Sequence, residues 1–289
     1  MDRPIFVVSD LHMGDGGPRD NFSVDNKISQ FKQFLRFVEK EDGQLYLLGD
    51  LFEFWQSNIG TVLKKRIEFI DRFAEMKAVY VVGNHDGDFE DLIGTGLLNH
   101  PFFDNMTGAF EKTIGTKKFK FMHGHELDPI NQDGTPRWGR ILAILCGIIE
   151  DRKGSPLLSA GGAMERNLLR LGRSFMWLYN YSINFFEKSP SHERARSVAE
   201  SLTPAQDPQR TRGILSLYQK DKMGDGYDML VTGHTHRGGL YQDWYCNSGC
   251  WVGLRNQFLR IDPDGKIHYC EWNHKGPVFL KGEKRKIKW

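Results

Sequence analysis

Cysteine is scarce in this 289-residue chain: only Cys146, Cys246, Cys250 and Cys270 occur, and no two stand in a CxxC pair. That argues against a disulfide framework and fits a reducing compartment, with buried small side chains as the expected use of Cys246 and Cys250. Charge of one sign is missing too. Thirty-nine basic residues face 37 acidic ones for a net charge of +2, so no global field marks a nucleic-acid binder, and nucleic acid is not an expected partner. The longest apolar run, ILAILCGII at 141–149, is well short of the roughly 20 residues a spanning helix needs. The opening MDRPIFVVSD has no basic region leading into an apolar stretch and no small-residue cleavage site. A signal peptide is therefore not expected, and the expected location is the cytoplasm.

What is present is a hydrophobic content of 39%, enough for a substantial core, arranged in a repeating order. IFVV at 5–8 reads as a buried strand ending at Ser9-Asp10. Ile28, Phe31, Leu35 and Val38 then recur at helical spacing before a second strand, QLYLLGD at 44–50. Val62, Ile67, Ile70 and Phe73 repeat the helical stripe before AVYVVGNHD at 78–86. KFKFMHGHE ends in His123, and YDMLVTGHTH ends in His234 and His236. GGLYQDWYC at 238–246, NQFLRI at 256–261 and KIHYCEW at 266–272 predict a second, more antiparallel sheet, the last two joined by the turn DPDG.

The expected fold is α/β, a four-layer α/β/β/α sandwich of two mixed sheets with an inserted helical cap. The core covers 1–125 and 206–280. Residues 126–205 form the cap, with hydrophobic helical segments at 137–150 and 164–187, and 281–289, KGEKRKIKW, form a basic tail.

Ligands of α/β sheets collect at the carboxyl ends of strands. Asp10, His12, Asp50, Asn84, His123, His234 and His236 all stand just after apolar strands. A lone Asp there is usually a turn or cap residue, and a lone His is usually packed or on the surface. Seven together reverse that reading. Their number exceeds what one four-coordinate ion uses and suits two divalent ions that also hold waters. Oxygen and imidazole donors without thiolate suit Mn²⁺, the first expectation, or Fe or Zn²⁺. Asp50, on a central strand, is the natural bridge. Two such ions can share a hydroxide that attacks phosphorus in line and can stabilise the leaving oxygen.

The blocks SDLH, GDLFEFW, GNHD, MHGHE and GHTH, in this order, resemble the calcineurin-like metallophosphoesterase family over about 1–125 and 225–272. The resemblance implies that Asp10, His12, Asp50 and His236 hold one metal, and that Asp50, Asn84, His123 and His234 hold the other. It also implies that His85 assists the leaving group and that Asp86 orients His85. GDLFEFW and GNHD depart from the GDxxDRG and GNHE of protein Ser/Thr phosphatases. GDLFEFW instead resembles the bacterial UDP-2,3-diacylglucosamine diphosphatases of lipid A biosynthesis, which carry a helical insertion between the equivalents of His123 and His234. Those enzymes typically have Arg at the position of His85 and an acidic residue at that of His125.

His125, and Arg166, Arg170 and Arg173 at helical spacing, are the candidate substrate contacts, since guanidinium pairs with phosphate oxygens in a fork. The expected partner is a phosphorylated small molecule or glycolipid. The basic segment 281–289 reads as a disordered tail or as a peripheral contact with the inner face of a membrane. The competing readings are a soluble phosphomonoesterase or phosphodiesterase acting on nucleotides or nucleic-acid ends, and a non-catalytic metal-binding scaffold.

Overall fold

Strand β1 (Ile5–Val8) is buried throughout, and its alternation sets the layering. Phe6 and Val8 enter one apolar cluster, while Ile5 and Val7 enter another. A strand enclosed on both faces needs a cover on each. In this computed structural model, which describes residues 3–17, 20, 22–23, 26–128, 218–219, 226–241, 243–253 and 255–280, the first cover is helical. Helices α1 (Lys27–Lys40) and α2 (Ile59–Glu75) bring Phe31, Phe34, Val38, Val62, Ile70 and Phe73 into the cluster that holds Phe6 and Val8. The second cover is another sheet, whose Phe119, Phe121, Met229 and Val231 share a cluster with Ile5 and Val7. Truncating one of the buried phenylalanines to Ala would cost roughly 3–5 kcal/mol, because the cavity adds to the lost transfer energy.

Among the described residues the first sheet also contains β2 (Gln44–Leu48), β3 (Val79–Val81), β4 (Met106–Thr107), β10 (Gln257–Ile261), β11 (Ile267–Asn273) and β12 (Gly276–Phe279). Their order is β12-β11-β10-β1-β2-β3-β4, parallel from β1 to β4. The second sheet, in the order β5-β6-β7-β9-β8, contains β5 (Ala109–Ile114), β6 (Lys117–Met122), β7 (Met229–Thr232), β8 (Gly239–Tyr241) and β9 (Tyr245–Asn247). Both sheets are mixed, as the sequence predicts.

Three placements differ from the sequence expectation. The β10–β11 hairpin, expected in the second sheet, extends the first by pairing β10 antiparallel to β1. The reason lies in its two apolar faces: Phe258 belongs to the helix-side cluster, and Leu259 and Ile261 to the inter-sheet one. The stretch 238–246 is not one strand but the hairpin of β8 and β9. Along α2 the buried stripe runs through Val62, Arg66, Phe69, Ile70 and Phe73, whereas Ile67 is 49% exposed. Arg66 takes the inward position because it pairs with buried Asp20 and donates from Nε to the Gly14 carbonyl at 2.8 Å, pinning the loop after His12 to the helix. Asn58 caps α2 by accepting from the Thr61 N–H at 3.2 Å, which satisfies one of the donors a helix start leaves open.

The helical segments at 137–150 and 164–187, with Arg166, Arg170 and Arg173, lie outside the described residues, as does the tail at 281–289. No helix among the described residues is long and apolar enough to cross a membrane.

Candidate metal centre

The parallel strands end at one rim. Asp10 and His12 follow β1, Asp50 follows β2, Asn84 and His85 follow β3, His123 follows β6, and His234 and His236 follow β7. Both sheets therefore supply donors, and the structure brings all seven predicted ones together. Three sets of possible ligand atoms lie within 4.8 Å of one another: Asp10, His12 and His236; Asp50, His123 and His234; and His12, Asp50 and His85.

The backbone at this rim is unusual. Eight non-glycine residues have positive φ among those described, and five of them are Asp10 (55°), His12 (47°), Asp50 (50°), His234 (65°) and His236 (54°). A left-handed residue with a Cβ costs energy and persists only where its surroundings over-determine it. Close packing makes the adjoining glycines necessary. A Cβ on Gly83 would collide with the Asp50 backbone, and one on Gly233 would strike Ser9 and come within 2.6 Å of Asp10 Oδ2.

Asp50 stands between two groups of donors. Its Oδ2 is 3.8 Å from His12 Nε2, and its Oδ1 is 3.3 Å from His123 Nε2. On the first side, His12 Nε2 lies 3.2 Å from His236 Nε2, which in turn lies 3.1 Å from Asp10 Oδ1. On the second, the Asn84 Oδ1 is 3.1 Å from His123 Nε2 and 3.0 Å from His234 Nδ1. The remote ring nitrogens are also engaged. His123 Nδ1 donates to the Leu48 carbonyl at 2.7 Å, and His12 Nδ1 and His234 Nε2 face the carboxylates of Glu53 (3.1 Å) and Asp128 (2.8 Å). With Nδ1 turned to Glu53, His12 aims Nε2 inward.

Two details show that the residues fit a metal pair. Asp10 Oδ1 is buried, and its contact with His236 Nε2 at 3.1 Å is an ion pair without good hydrogen-bond geometry. The facing Nε2 atoms of His12 and His236 can approach to 3.2 Å only with a proton or a cation to share. The electrostatics agree. Burial opposes charge on every group here, yet Asp10 is held below the usual carboxyl range chiefly by His236, and Asp50 well below it chiefly by His123. Burial likewise opposes protonation of His123, but the Asp50 charge lifts it to about 10, and Asp10 lifts His236 well above the ordinary imidazole value. A site that concentrates protons this way in the metal-free state is one that divalent cations can take over.

His85 sits beside the first group, with its ring centroid 4.5 Å from that of His12. Its Nδ1 is 2.8 Å from Glu53 Oε2, and Trp55 stacks on it at 3.7 Å and 22°. The expected orienter, Asp86, does not serve His85. Its buried carboxylate accepts from the N–H groups of Leu51, Phe52 and Gly83 instead, tying the GDLF and GNHD turns together. The next residue in the chain is too constrained by those three bonds to reach the ring, so Glu53 does the task. Sequence reasoning passed over Glu53, although its place three residues after Asp50 was a usable signal. It also passed over Asp128 and Cys250, whose buried thiol pairs with His236 and is thereby held below its usual range against the effect of burial. His125 is buried next to His123 at 5.4 Å between centroids, with Nε2 3.3 Å from Glu90.

Residues 3–238 match the calcineurin-like phosphoesterase family, and the chain belongs to that family. The family is one of phosphoesterases, and the three donor sets are candidates to hold divalent metal ions. A UDP-2,3-diacylglucosamine hydrolase of Porphyromonas gingivalis is 24% identical over 127 residues, which are 42% of this chain and 46% of that protein. The match thus spans about half the length of the curated relative. Solved structures alike in fold include a dimetal phosphatase from Danio rerio, 11% identical with a TM-score of 0.45, covering 96% of this chain and 98% of that one. Vacuolar Protein Sorting 29 from Cryptosporidium parvum is 12% identical with a TM-score of 0.44, covering 96% and 95%. Likenesses this loose carry no residue correspondence.

Proposed function

We propose that this protein is a dinuclear-metal-dependent hydrolase of a phosphoester or pyrophosphate bond, with a nucleotide-linked glycolipid of the UDP-2,3-diacylglucosamine kind as substrate. The observation that carries the reading is the position of Asp50, with one carboxylate oxygen toward each donor group. Asp10, His12, Asp50 and His236 would hold one cation, and Asp50, Asn84, His123 and His234 the other, with Mn²⁺ the expected metal. When bound, the two cations supply Lewis-acid polarisation of the phosphoryl oxygens and lower the pKa of water.

The chain's own groups do the rest. Glu53 holds the Nδ1 side of His85, which leaves Nε2 to pass a proton to the departing oxygen. Burial opposes protonation of His85, but Glu53 and then Asp50 outweigh it and raise its pKa, keeping the ring in the acid form a donor needs. Trp55 fixes the plane of the ring, and Asp86 fixes the two turns that carry Asp50 and His85.

The glycolipid part of the reading draws on the block GDLFEFW and on the name of the Porphyromonas gingivalis relative. It assigns residues 126–205 to a cap that receives acyl chains, and His125, Arg166, Arg170 and Arg173 to contacts with the substrate's polar groups. It also assigns the five Lys or Arg residues of 281–289 to an anionic membrane surface on the cytoplasmic side. The test is Mn²⁺-dependent turnover of UDP-2,3-diacylglucosamine beside soluble phosphomonoesters, phosphodiesters and nucleotides. Release of UMP and the acylated sugar phosphate is expected with a kcat/KM above the ~10⁴ M⁻¹s⁻¹ common for enzymes on their own substrates. Turnover of the soluble esters alone would discard the glycolipid and keep the metal-dependent hydrolysis.

A further inference from the structure

The two imidazoles of the second donor group are held differently. His123 is steadied by a backbone carbonyl, whereas His234 turns Nδ1 toward Asn84 Oδ1 at 3.0 Å and gives Nε2 to the carboxylate of Asp128 at 2.8 Å. Asp128 is 1% exposed and lies 106 residues earlier in the chain. It closes the short 3₁₀ turn His125–Leu127, donating its own N–H to the His125 carbonyl at 2.9 Å. That turn is stiff: the Gly124 N–H donates to Glu126 at 2.7 Å, and buried Tyr218 donates its hydroxyl to the Gly124 carbonyl at 2.8 Å. One segment therefore supplies His123 to the site and, five residues on, a buried anion to the ring of His234.

We infer that Asp128 is a positioning residue for the second metal site, fixing the proton of His234 on Nε2 and the ring in the orientation that offers Nδ1 to a cation. The inference rests on the metal-pair reading above. His234 has a left-handed backbone, with φ of 65°, anchored by its N–H on Asp10 Oδ2 at 3.1 Å. That bond sets where the residue begins, and the ring's own contacts set its orientation. Among these Asp128 holds the Nε2 side and makes the ring a stronger donor, as partners of metal-bound imidazoles do. Glu53 has the parallel place on the other side, three residues after Asp50 and bonded to His12. Each of these two segments thus contributes a ligand and steadies a ligand that comes from elsewhere.

The experiment is Mn²⁺ titration of the full chain after chelation, by calorimetry and by electron paramagnetic resonance, in the wild type, Asp128→Ala and Asp128→Asn. The wild type is expected to bind two Mn²⁺ with a spin-coupled signal. In Asp128→Ala one of the two affinities should fall about 10–100-fold, the range for losing such a partner, while the other changes less than about twofold and the coupled signal disappears at two equivalents. Asp128→Asn, whose amide oxygen still accepts from Nε2–H, should recover most of that loss. If Asp128→Ala proves too unstable to titrate, Asp128→Asn decides against Asp128→Leu in the same assay. Unchanged affinities, or an equal fall at both sites, would overturn the assignment. A wild type that binds no Mn²⁺ would instead sink the metal-pair reading itself.

Discussion

The two donor groups around Asp50 differ chiefly in their backbone. In the first, Asp10, His12 and His236 all sit on left-handed backbone, and two ring nitrogens face each other at 3.2 Å. The second group rests on better-relaxed chain. Of Asn84, His123 and His234 only His234 has positive φ, and its rings are braced by the Leu48 carbonyl and Asp128. Left-handed backbone persists only where its surroundings over-determine it, and His12 of the first group is braced by Glu53 as His234 of the second is by Asp128. The comparison teaches that the first group carries more backbone strain, while each group has a ring steadied by a buried carboxylate.

Removing the residue common to both groups should have the largest effect. Asp50→Ala should abolish binding of the second equivalent of Mn²⁺ and lower kcat/KM by about 10³-fold or more, since one misplaced electrostatic group can already cost roughly 10²–10³. Metal content measured with turnover is the check. If Asp50→Ala kept both ions, the carboxylate would be a neighbour of two independent groups, and the comparison would fail. A smaller and more selective loss is expected for His85→Ala. It should lower kcat by roughly 10²–10⁴-fold with both Mn²⁺ ions retained, and the loss should shrink for substrates with acidic leaving groups that need no proton. An equal loss for every leaving group would assign His85 to the first donor group, with His12 and Asp50, instead of to proton transfer.

The contrast between ligands and their supports also describes what the sequence could tell. The seven candidate donors were legible because each stands where an apolar strand stops. The supports were harder to read. Asp128 lies 106 positions from His234 and Glu53 lies 41 from His12, so neither pairing is local, although Glu53's place three residues after Asp50 marked it as near the site. Asp86, which the family resemblance implies as the orienter of His85, instead directs its carboxylate to three backbone N–H groups. At the level of the fold, the strands were readable and their partners less so. NQFLRI was readable as a strand, but its pairing with β1 was not. Arg66 broke the helical stripe on α2 because a charged residue does not read as buried until its partner, Asp20, is known.

The smallest effect concerns stability, and it separates the protons of the metal-free site from the ions that replace them. His123 is raised from 6.5 to about 10, because Asp50 outweighs burial, so its contribution to stability is complete below pH 6.5 and is lost as pH rises toward 10. Glu53 is lowered from 4.5 to about 2, because His85, with the hydrogen bonds from His12 and His85, outweighs burial. Its contribution is complete above pH 4.5 and is lost as pH falls toward 2. The chelated protein should therefore have its highest Tm between pH 4.5 and 6.5 and decline by several degrees on either side. Divalent ions need deprotonated imidazoles, so adding Mn²⁺ should raise Tm chiefly above pH 6.5 and lift the alkaline limb while leaving the acid one in place. Differential scanning calorimetry across pH, with chelator and with Mn²⁺, reads both limbs. An alkaline limb that Mn²⁺ leaves unmoved would mean that the ion does not displace the proton on His123, and would remove that residue from the second donor group.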